Sequence, residues 1–167
     1  MKFLPPRTVI TESEEETRCL GALLSNHISG GITILLSGDL GSGKTTLVRG
    51  FCENLGFRKV RSPSFTLVNH YMAGGRRIVH SDLYRLESRD VSELDLEEDD
   101  SGDTVLFVEW AEKTAFFSER PLWRINISAP DTFLSPERRQ CVFFPLNSEG
   151  EVFLSRFLQE AREVIPL

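Results

Sequence analysis

The sequence predicts an α/β fold, a three-layer sandwich around a mixed sheet that is parallel at its centre and antiparallel at its edges. Three observations carry this. The apolar run Ile32-Thr33-Ile34-Leu35-Leu36 leads into a glycine-rich stretch and then into a helical pattern ending near Leu55. A second near-continuous apolar run, Thr104-Val105-Leu106-Phe107-Val108, ends in Glu109, as a strand buried on both faces would. Trp123–Ile127 and Arg139–Phe144 alternate in polarity, the pattern of late antiparallel strands.

Taken in order, Thr8-Val9-Ile10 reads as a short strand. Thr11-Glu12-Ser13-Glu14 is a capping-box pattern opening a helix to about Ser29, with Leu20, Leu23, Leu24 and Ile28 on its apolar face. Gly30-Gly31 breaks the chain before the strand at 32–36. After the glycine-rich stretch, Leu47, Val48, Phe51 and Leu55 recur at helical spacing, and Gly56 stops the helix. Arg61-Ser62-Pro63-Ser64 is an irregular connection. Phe65–Met72 and Arg76–His80 read as two strands joined by a turn at Ala73-Gly74-Gly75. Leu86 to Asp103 is polar and acidic, a solvated loop centred on Glu97-Glu98-Asp99-Asp100, because like charges in a row resist burial. Glu149–Val164, with Val152, Phe153, Phe157 and Ala161, closes the chain as an amphipathic helix.

The 167 residues form one domain, long enough to bury a substantial core, with no internal repeat. Net charge is −6 and the pI about 5.2, which argues against this chain gripping nucleic acid by itself. Arg58-Lys59-Val60-Arg61 and Arg76-Arg77 are the nearest approach to a basic patch and read as solvated faces. No apolar stretch nears the roughly 20 residues that span a bilayer, and the N-terminus has no long apolar segment, so the expectation is a cytoplasmic protein. Cys19, Cys52 and Cys141 have no paired spacing and read as thiols in a reducing compartment.

Gly38-Asp39-Leu40-Gly41-Ser42-Gly43-Lys44-Thr45 is a complete G-x-x-x-x-G-K-[ST] phosphate-binding loop, in the strand–loop–helix context that the motif requires. The fold class is therefore P-loop NTPase-like, and the string implies a nucleoside triphosphate with Mg²⁺. Glycines let successive backbone N–H groups face one point, and the helix N-terminus adds its positive end. Gly41 and Gly43 leave room for close approach to phosphate oxygens. Lys44 supplies charge for the β- and γ-phosphates, and the Thr45 hydroxyl is placed to ligate Mg²⁺. Ser42 offers backbone only, and Thr46 packs or caps locally. Such a loop needs a carboxylate across the site to hold the metal or its water, and Glu109, at the end of its strand, fits. Asp82, in His80-Ser81-Asp82-Leu83-Tyr84-Arg85, is a second candidate, either orienting water or forming a structural ion pair with Arg85. His80 in turn could order its neighbours.

The phosphate loop extended to Thr46, Ser62-Pro63-Ser64-Phe65-Thr66-Leu67-Val68-Asn69, His80-Ser81-Asp82-Leu83-Tyr84-Arg85-Leu86 and Val108-Glu109-Trp110-Ala111 follow one another in that order. Together they resemble the TsaE family of P-loop ATPases, over about residues 10–145. The resemblance implies slow ATP hydrolysis in tRNA threonylcarbamoyladenosine biosynthesis, in association with the TsaB–TsaD pair, with tRNA met only indirectly. Carried over by position, Lys44 and Thr45 serve phosphates and Mg²⁺, Glu109 the metal and Asp82 the catalytic centre. Gly38, Asp39, Leu40, Gly41, Ser42, Gly43 and Thr46 complete the nucleotide contacts, and 62–66 acts as a switch-like loop. Thr11 lies near the adenine, with one of Arg138 or Arg139 facing it, Arg139 being preferred. Two departures stand out: His70 replaces the Glu common before Tyr71, and Glu93-Leu94-Asp95-Leu96 runs into acidic residues with no glycine.

Two other classes compete. A small-molecule kinase would carry an Arg-rich lid, where this chain has a hairpin and an acidic stretch. A nucleotide-dependent docking module would keep its partner after loss of the Asp82 carboxylate, whereas an ATPase would lose turnover. No Asn/Thr-Lys-x-Asp segment for reading guanine is present.

Overall fold

The structure is a computed structural model that describes residues 1–87, 90, 94, 96–99, 102–113 and 118–165. Among the described residues these strands and α-helices follow in chain order: β1 (Lys2–Leu4), β2 (Thr8–Thr11), α1 (Glu14–His27), β3 (Ile32–Ser37), α2 (Lys44–Asn54), β4 (Val68–Ala73), β5 (Arg76–Asp82), α3 (Leu96–Asp99), β6 (Val105–Glu109), β7 (Leu122–Ser128), β8 (Arg139–Pro145) and α4 (Ser148–Val164). The strands form one sheet in the order β1-β2-β8-β7-β3-β6-β5-β4. β7, β3, β6 and β5 are mutually parallel, and the remaining pairings are antiparallel. The predicted mixed α/β sheet is the observed one.

β3 lies between β6 and β7, and Ile32–Leu36 are all buried because both faces of the strand are covered. Alternate residues divide between two clusters. Ile32, Ile34 and Leu36 join Leu20, Leu24, Leu47, Phe51 and Phe157 under α1, α2 and α4. Leu35 faces the other way, with Val79, Leu83, Leu96, Leu106, Val108 and Ala111. The second outer layer is thin among the described residues, made by the short α3, the turn at Ala111–Lys113 and neighbouring loop residues.

α1 and α2 meet backbone to backbone. A Cβ on Gly21 would lie 2.1 Å from the Leu47 carbonyl oxygen, and one on Gly50 would lie 2.1 Å from that of Arg18. Each helix thus offers its glycine to the other. This close crossing sets the first residues of α1 beside the start of α2.

Local chemistry shifted several predicted boundaries. The cap of α1 is Ser13, whose hydroxyl accepts the Glu16 N–H at 3.1 Å, while the Glu16 carboxylate reaches back to the Glu12 N–H at 2.8 Å. The box therefore sits two residues later than Thr11…Glu14, because Thr11 is held in β2 opposite Arg139. β4 begins at Val68, not Phe65, since Leu67 has φ 66° and its carbonyl accepts the Asp82 N–H at 3.0 Å. β1, a three-residue edge strand, was not foreseen. Much of the acidic stretch, with Glu93 and Asp95 of the altered family pattern, lies outside the described residues. Within it, Leu96–Asp99 is helical rather than a loop, and Asp99 is buried, accepting a hydrogen bond from Arg77. His70 Nδ1 stands 3.9 Å from the same carboxylate.

The glycine crossing yields a stability prediction. Gly21→Ala and Gly50→Ala each lower the unfolding free energy by about 1–3 kcal/mol, the usual cost of overpacking. The sign is diagnostic, because alanine in a helix interior otherwise gains roughly 1 kcal/mol over glycine. Gly30→Ala, where a Cβ meets nothing within 4 Å, leaves stability within about 0.5 kcal/mol. Urea unfolding of the three variants checks this, and an unshifted midpoint for Gly50→Ala would contradict the backbone contact.

Candidate functional site

The loop between β3 and α2 is shaped by glycines at the positions where a side chain is excluded. Gly38 has φ 140°, and a Cβ there would lie 2.0 Å from the Ile127 carbonyl oxygen. Gly43, at φ 104°, caps α2 in the left-handed conformation with no side-chain hydrogen bond. The first bond of the α2 ladder runs from Leu47 N–H to Gly43 O, which leaves the first-turn N–H groups outside it. α2 also has no acidic residue in its first turn, whereas α1 carries Glu14, Glu15 and Glu16 there. Its positive end is thus left for an external anion.

Lys44 is only 4% exposed and donates through Nζ to the carbonyls of Gly38 at 2.7 Å and Asp39 at 3.0 Å. Its ammonium also lies 4.6 Å from the centroid of the Trp110 ring. Burial lowers its pKa, opposed by the charges of Glu109 and Asp82. Trp110 holds φ 59°, a left-handed conformation that is costly for an aromatic residue, fixed by its N–H bond to Leu36 O at 3.1 Å. Its ring packs against Tyr84 with centroids 4.9 Å apart and planes tilted by 45°.

The parallel register sets the carboxylates level. Glu109 pairs with Leu36 on one side and with Asp82 on the other; Glu109 and Asp82 end their strands, and Leu36 is one residue short of the end of β3. Glu109 Oε1 accepts the Thr45 hydroxyl and His80 Nε2, each at 2.7 Å. Burial pushes the Glu109 carboxyl up, but the His80 hydrogen bond, the Thr45 hydroxyl and the Lys44 charge together hold it below its ordinary value. Asp82 accepts the Ser64 hydroxyl at Oδ2, 2.7 Å away, and the Tyr84 N–H at Oδ1, 2.9 Å away. Ser62 and Ser64 share a further bond of 2.7 Å between their hydroxyls, so the 62–67 segment docks on the end of β5 through side chain and backbone.

Two cavities flank the loop and share Gly41, Gly43 and Thr46. One, of about 170 Å³, is lined by Lys44, Thr45, Ser62, Ser64, Asp82, Glu109 and Trp110, with Leu40. The other, of about 260 Å³, is lined by Glu14, Thr17, Glu137 and Arg139. Asp39 and Ser42 border a third, of about 280 Å³, beside Thr132 and Pro136. Arg139 closes over the loop from outside, with Nε 2.9 Å from Ser42 O and Nη2 3.4 Å from Gly41 O. Arg138 turns away, its Nε 3.6 Å from Glu12 Oε1.

Lys44, Thr45, Asp82 and Glu109 thus converge on one cavity. Thr11 stands apart: it is buried, with its hydroxyl 2.8 Å from that of Thr17, and it is Thr17 that lines the second cavity. Sequence reasoning missed Thr17, Glu14, Glu137 and the place of Trp110 beneath Lys44. Thr17 falls one helical turn beyond the Ser13 cap, a signal that could have pointed to it. Among the described residues no group of three or more His, Cys, Asp or Glu side chains could form a metal cage. Nor is any helix long and apolar enough to cross a membrane.

A family model described as threonylcarbamoyl adenosine biosynthesis protein TsaE matches residues 11–140. The chain is 37% identical to the tRNA threonylcarbamoyladenosine biosynthesis protein TsaE of Nostoc sp., over 83% of this chain and 86% of that protein. It is 42% identical to the protein of that name from Bacillus subtilis, over 66% and 68%, and 36% identical to that of Rickettsia conorii, over 89% and 85%. The crystal structure of Bacillus subtilis YdiB superposes with a TM-score of 0.72 at 29% identity, covering 93% of this chain and 95% of that one.

The lowered carboxyl of Glu109 gives a pH prediction. In the unfolded chain it titrates at its ordinary value of 4.5, and in the fold below that. Its contribution is therefore fully present above the ordinary value and is lost as pH falls through the folded one. The stability gap between the wild type and Glu109→Gln is largest near neutrality and shrinks below about pH 5. Urea unfolding across a pH series measures the gap, and widening toward acid would contradict the assignment.

Proposed function

The chain belongs to the TsaE family, whose role lies in tRNA threonylcarbamoyladenosine biosynthesis, and from that premise we propose that it is a slow, Mg²⁺-dependent ATPase acting with the TsaB–TsaD pair. One observation carries the reading. The Thr45 hydroxyl, in the first turn of α2, bonds at 2.7 Å to Glu109 at the end of the neighbouring strand, joining the phosphate loop to a metal-holding carboxylate.

The residues present fit the nucleotide and its ion. A Cβ on Gly41, at φ 78°, would meet no protein atom within 4 Å, so the loop backbone is open on that side. The donor set facing the 170 Å³ cavity is hard oxygen from Thr45, Glu109 and Asp82, which suits Mg²⁺ held partly by phosphates rather than by a protein cage. Thr45 and Glu109 would hold the ion, which when bound supplies charge neutralisation at the phosphate oxygens.

The chain's own groups do the rest. Lys44 and the first-turn N–H groups of α2 bind phosphate oxygens, with the ammonium held in place by Gly38, Asp39 and Trp110. Asp82 orients the attacking water and takes its proton at Oδ2, the oxygen that Ser64 now occupies. The water oxygen bonds to the γ-phosphorus as ADP leaves. Ser64 shares that oxygen, so the 62–67 segment borders the attacking water. On the opposite side of the loop, Thr17, Glu14, Glu137 and Arg139 take the nucleoside, with Thr11 supporting Thr17 from behind. The acidic net charge supports contact with tRNA only through the partner pair.

Steady-state ATP hydrolysis by the purified chain, alone and with its TsaB–TsaD pair, tests the proposal. Weak activity that changes on adding the pair and is lost in Glu109→Ala is expected. Asp82→Asn should lower turnover about 100-fold or more while nucleotide still binds. Lys44→Ala should abolish binding in a fluorescent-nucleotide titration. Rapid hydrolysis indifferent to the pair, or phosphate transfer to a small acceptor, would overturn the reading in favour of a kinase.

A further inference from the structure

We propose that His80 is a positioning residue that fixes the orientation of Glu109 and thereby sets how tightly the site holds a divalent cation with nucleotide. The inference rests on the metal role proposed above for Thr45 and Glu109. It concerns a side chain that touches neither cavity.

His80 lies within β5, opposite Phe107 of β6, and is completely buried. Period-2 alternation puts it on the same face as Ile78 and Asp82. On that face stand Ile78 and Phe107 of the larger apolar cluster, and across the β4–β5 pair its register partner is Asn69. An imidazole in such a place is unfavourable unless it is hydrogen-bonded. Among the described residues its side chain has one hydrogen-bond partner: Nε2 stands 2.7 Å from Glu109 Oε1. Nδ1 is buried and, among the described residues, has no partner.

An ionised carboxylate only accepts, so Nε2 carries a hydrogen and donates it. Glu109 Oε1 therefore receives two donors, Nε2–H and the Thr45 hydroxyl. Both converge on one oxygen, and Oε2 is the one left for a cation or its water. Thr45 alone would hold the carboxylate by a single bond from a group that itself serves the metal. His80 is anchored in the rigid centre of the sheet and holds the carboxylate from a fixed point. Partners of this kind, one bond behind a ligand, commonly contribute 10–100-fold to metal affinity.

The test is a Mg²⁺ titration of nucleotide binding to the full chain, followed with a fluorescent ATP analogue, for the wild type, His80→Leu and His80→Gln. His80→Leu should raise half-saturating Mg²⁺ about 10-fold or more. His80→Gln, whose amide N–H stands in for Nε2–H, should stay within about 3-fold of wild type. Nucleotide affinity measured in chelator should be the same in all three. In a Glu109→Ala background His80→Leu should add nothing. Should His80→Leu fail to fold, His80→Asn, whose amide stands in for Nδ1, takes its place against His80→Gln. Unchanged Mg²⁺ dependence in the donor-less variant would overturn the proposal, as would an equal loss of affinity with and without Mg²⁺. Wild-type nucleotide binding indifferent to Mg²⁺ would instead overturn the metal reading itself, and the proposal with it.

Discussion

Everything at this site hangs from the parallel register of β3, β6 and β5. Glu109 and Asp82 end β6 and β5 level with Leu36, one residue before the end of β3, so two carboxylates emerge side by side next to the loop that leaves β3. Hydrogen bonds across a parallel sheet are evenly spaced, and a slip of one residue would turn every side chain to the other face. The two apolar clusters prevent that slip, because β3 and β6 are buried on both sides by residues of alternating orientation. Core packing thus specifies the distance between Thr45 and Glu109 without either residue belonging to the core.

The arrangement concentrates charge where water is scarce. Lys44, Asp82 and Glu109 are each at most 4% exposed. Burying them is tolerable because each is paired or hydrogen-bonded: Lys44 to two carbonyls and the Trp110 face, Glu109 to Thr45 and His80, Asp82 to Ser64 and a backbone N–H. Two non-glycine residues in left-handed conformations, Leu67 and Trp110, flank these groups. Each turns the chain at a point where the next side chain or carbonyl is needed by the site. Strain gathered around a cavity in this way belongs to working sites more than to inert scaffolds.

The centre of the molecule was readable and its periphery was not, for physical reasons. The phosphate loop, β3 and β6 announce themselves because contiguous residues carry both the pattern and the chemistry. Lys44, Thr45 and Glu109 could be named from that. Ser13 and Thr11 show the opposite case. Both begin a Ser/Thr-x-x-Glu pattern, and only the pairing of Thr11 with Arg139, 128 positions away in the chain, decides which one caps the helix. The wall of the second cavity is assembled from Glu14, Thr17, Glu137 and Arg139, residues from opposite ends of the sequence with no shared local pattern. Asp99 was read as solvated from its acidic neighbours, but Arg77 lies across the fold and draws it inward.

Arg139 belongs to β8, the last strand in chain order among the described residues and the one that links β2 to the rest of the sheet. Among the described residues the β1–β2 pair joins the sheet only through β8, and the outer brace of the phosphate loop arrives on that same strand. During synthesis, therefore, the loop, Lys44 and both carboxylates leave the ribosome well before the sheet can close around them. The site is completed only once β8 has emerged, so a nascent fragment that stops short of it holds the chemical groups without the frame that aligns them.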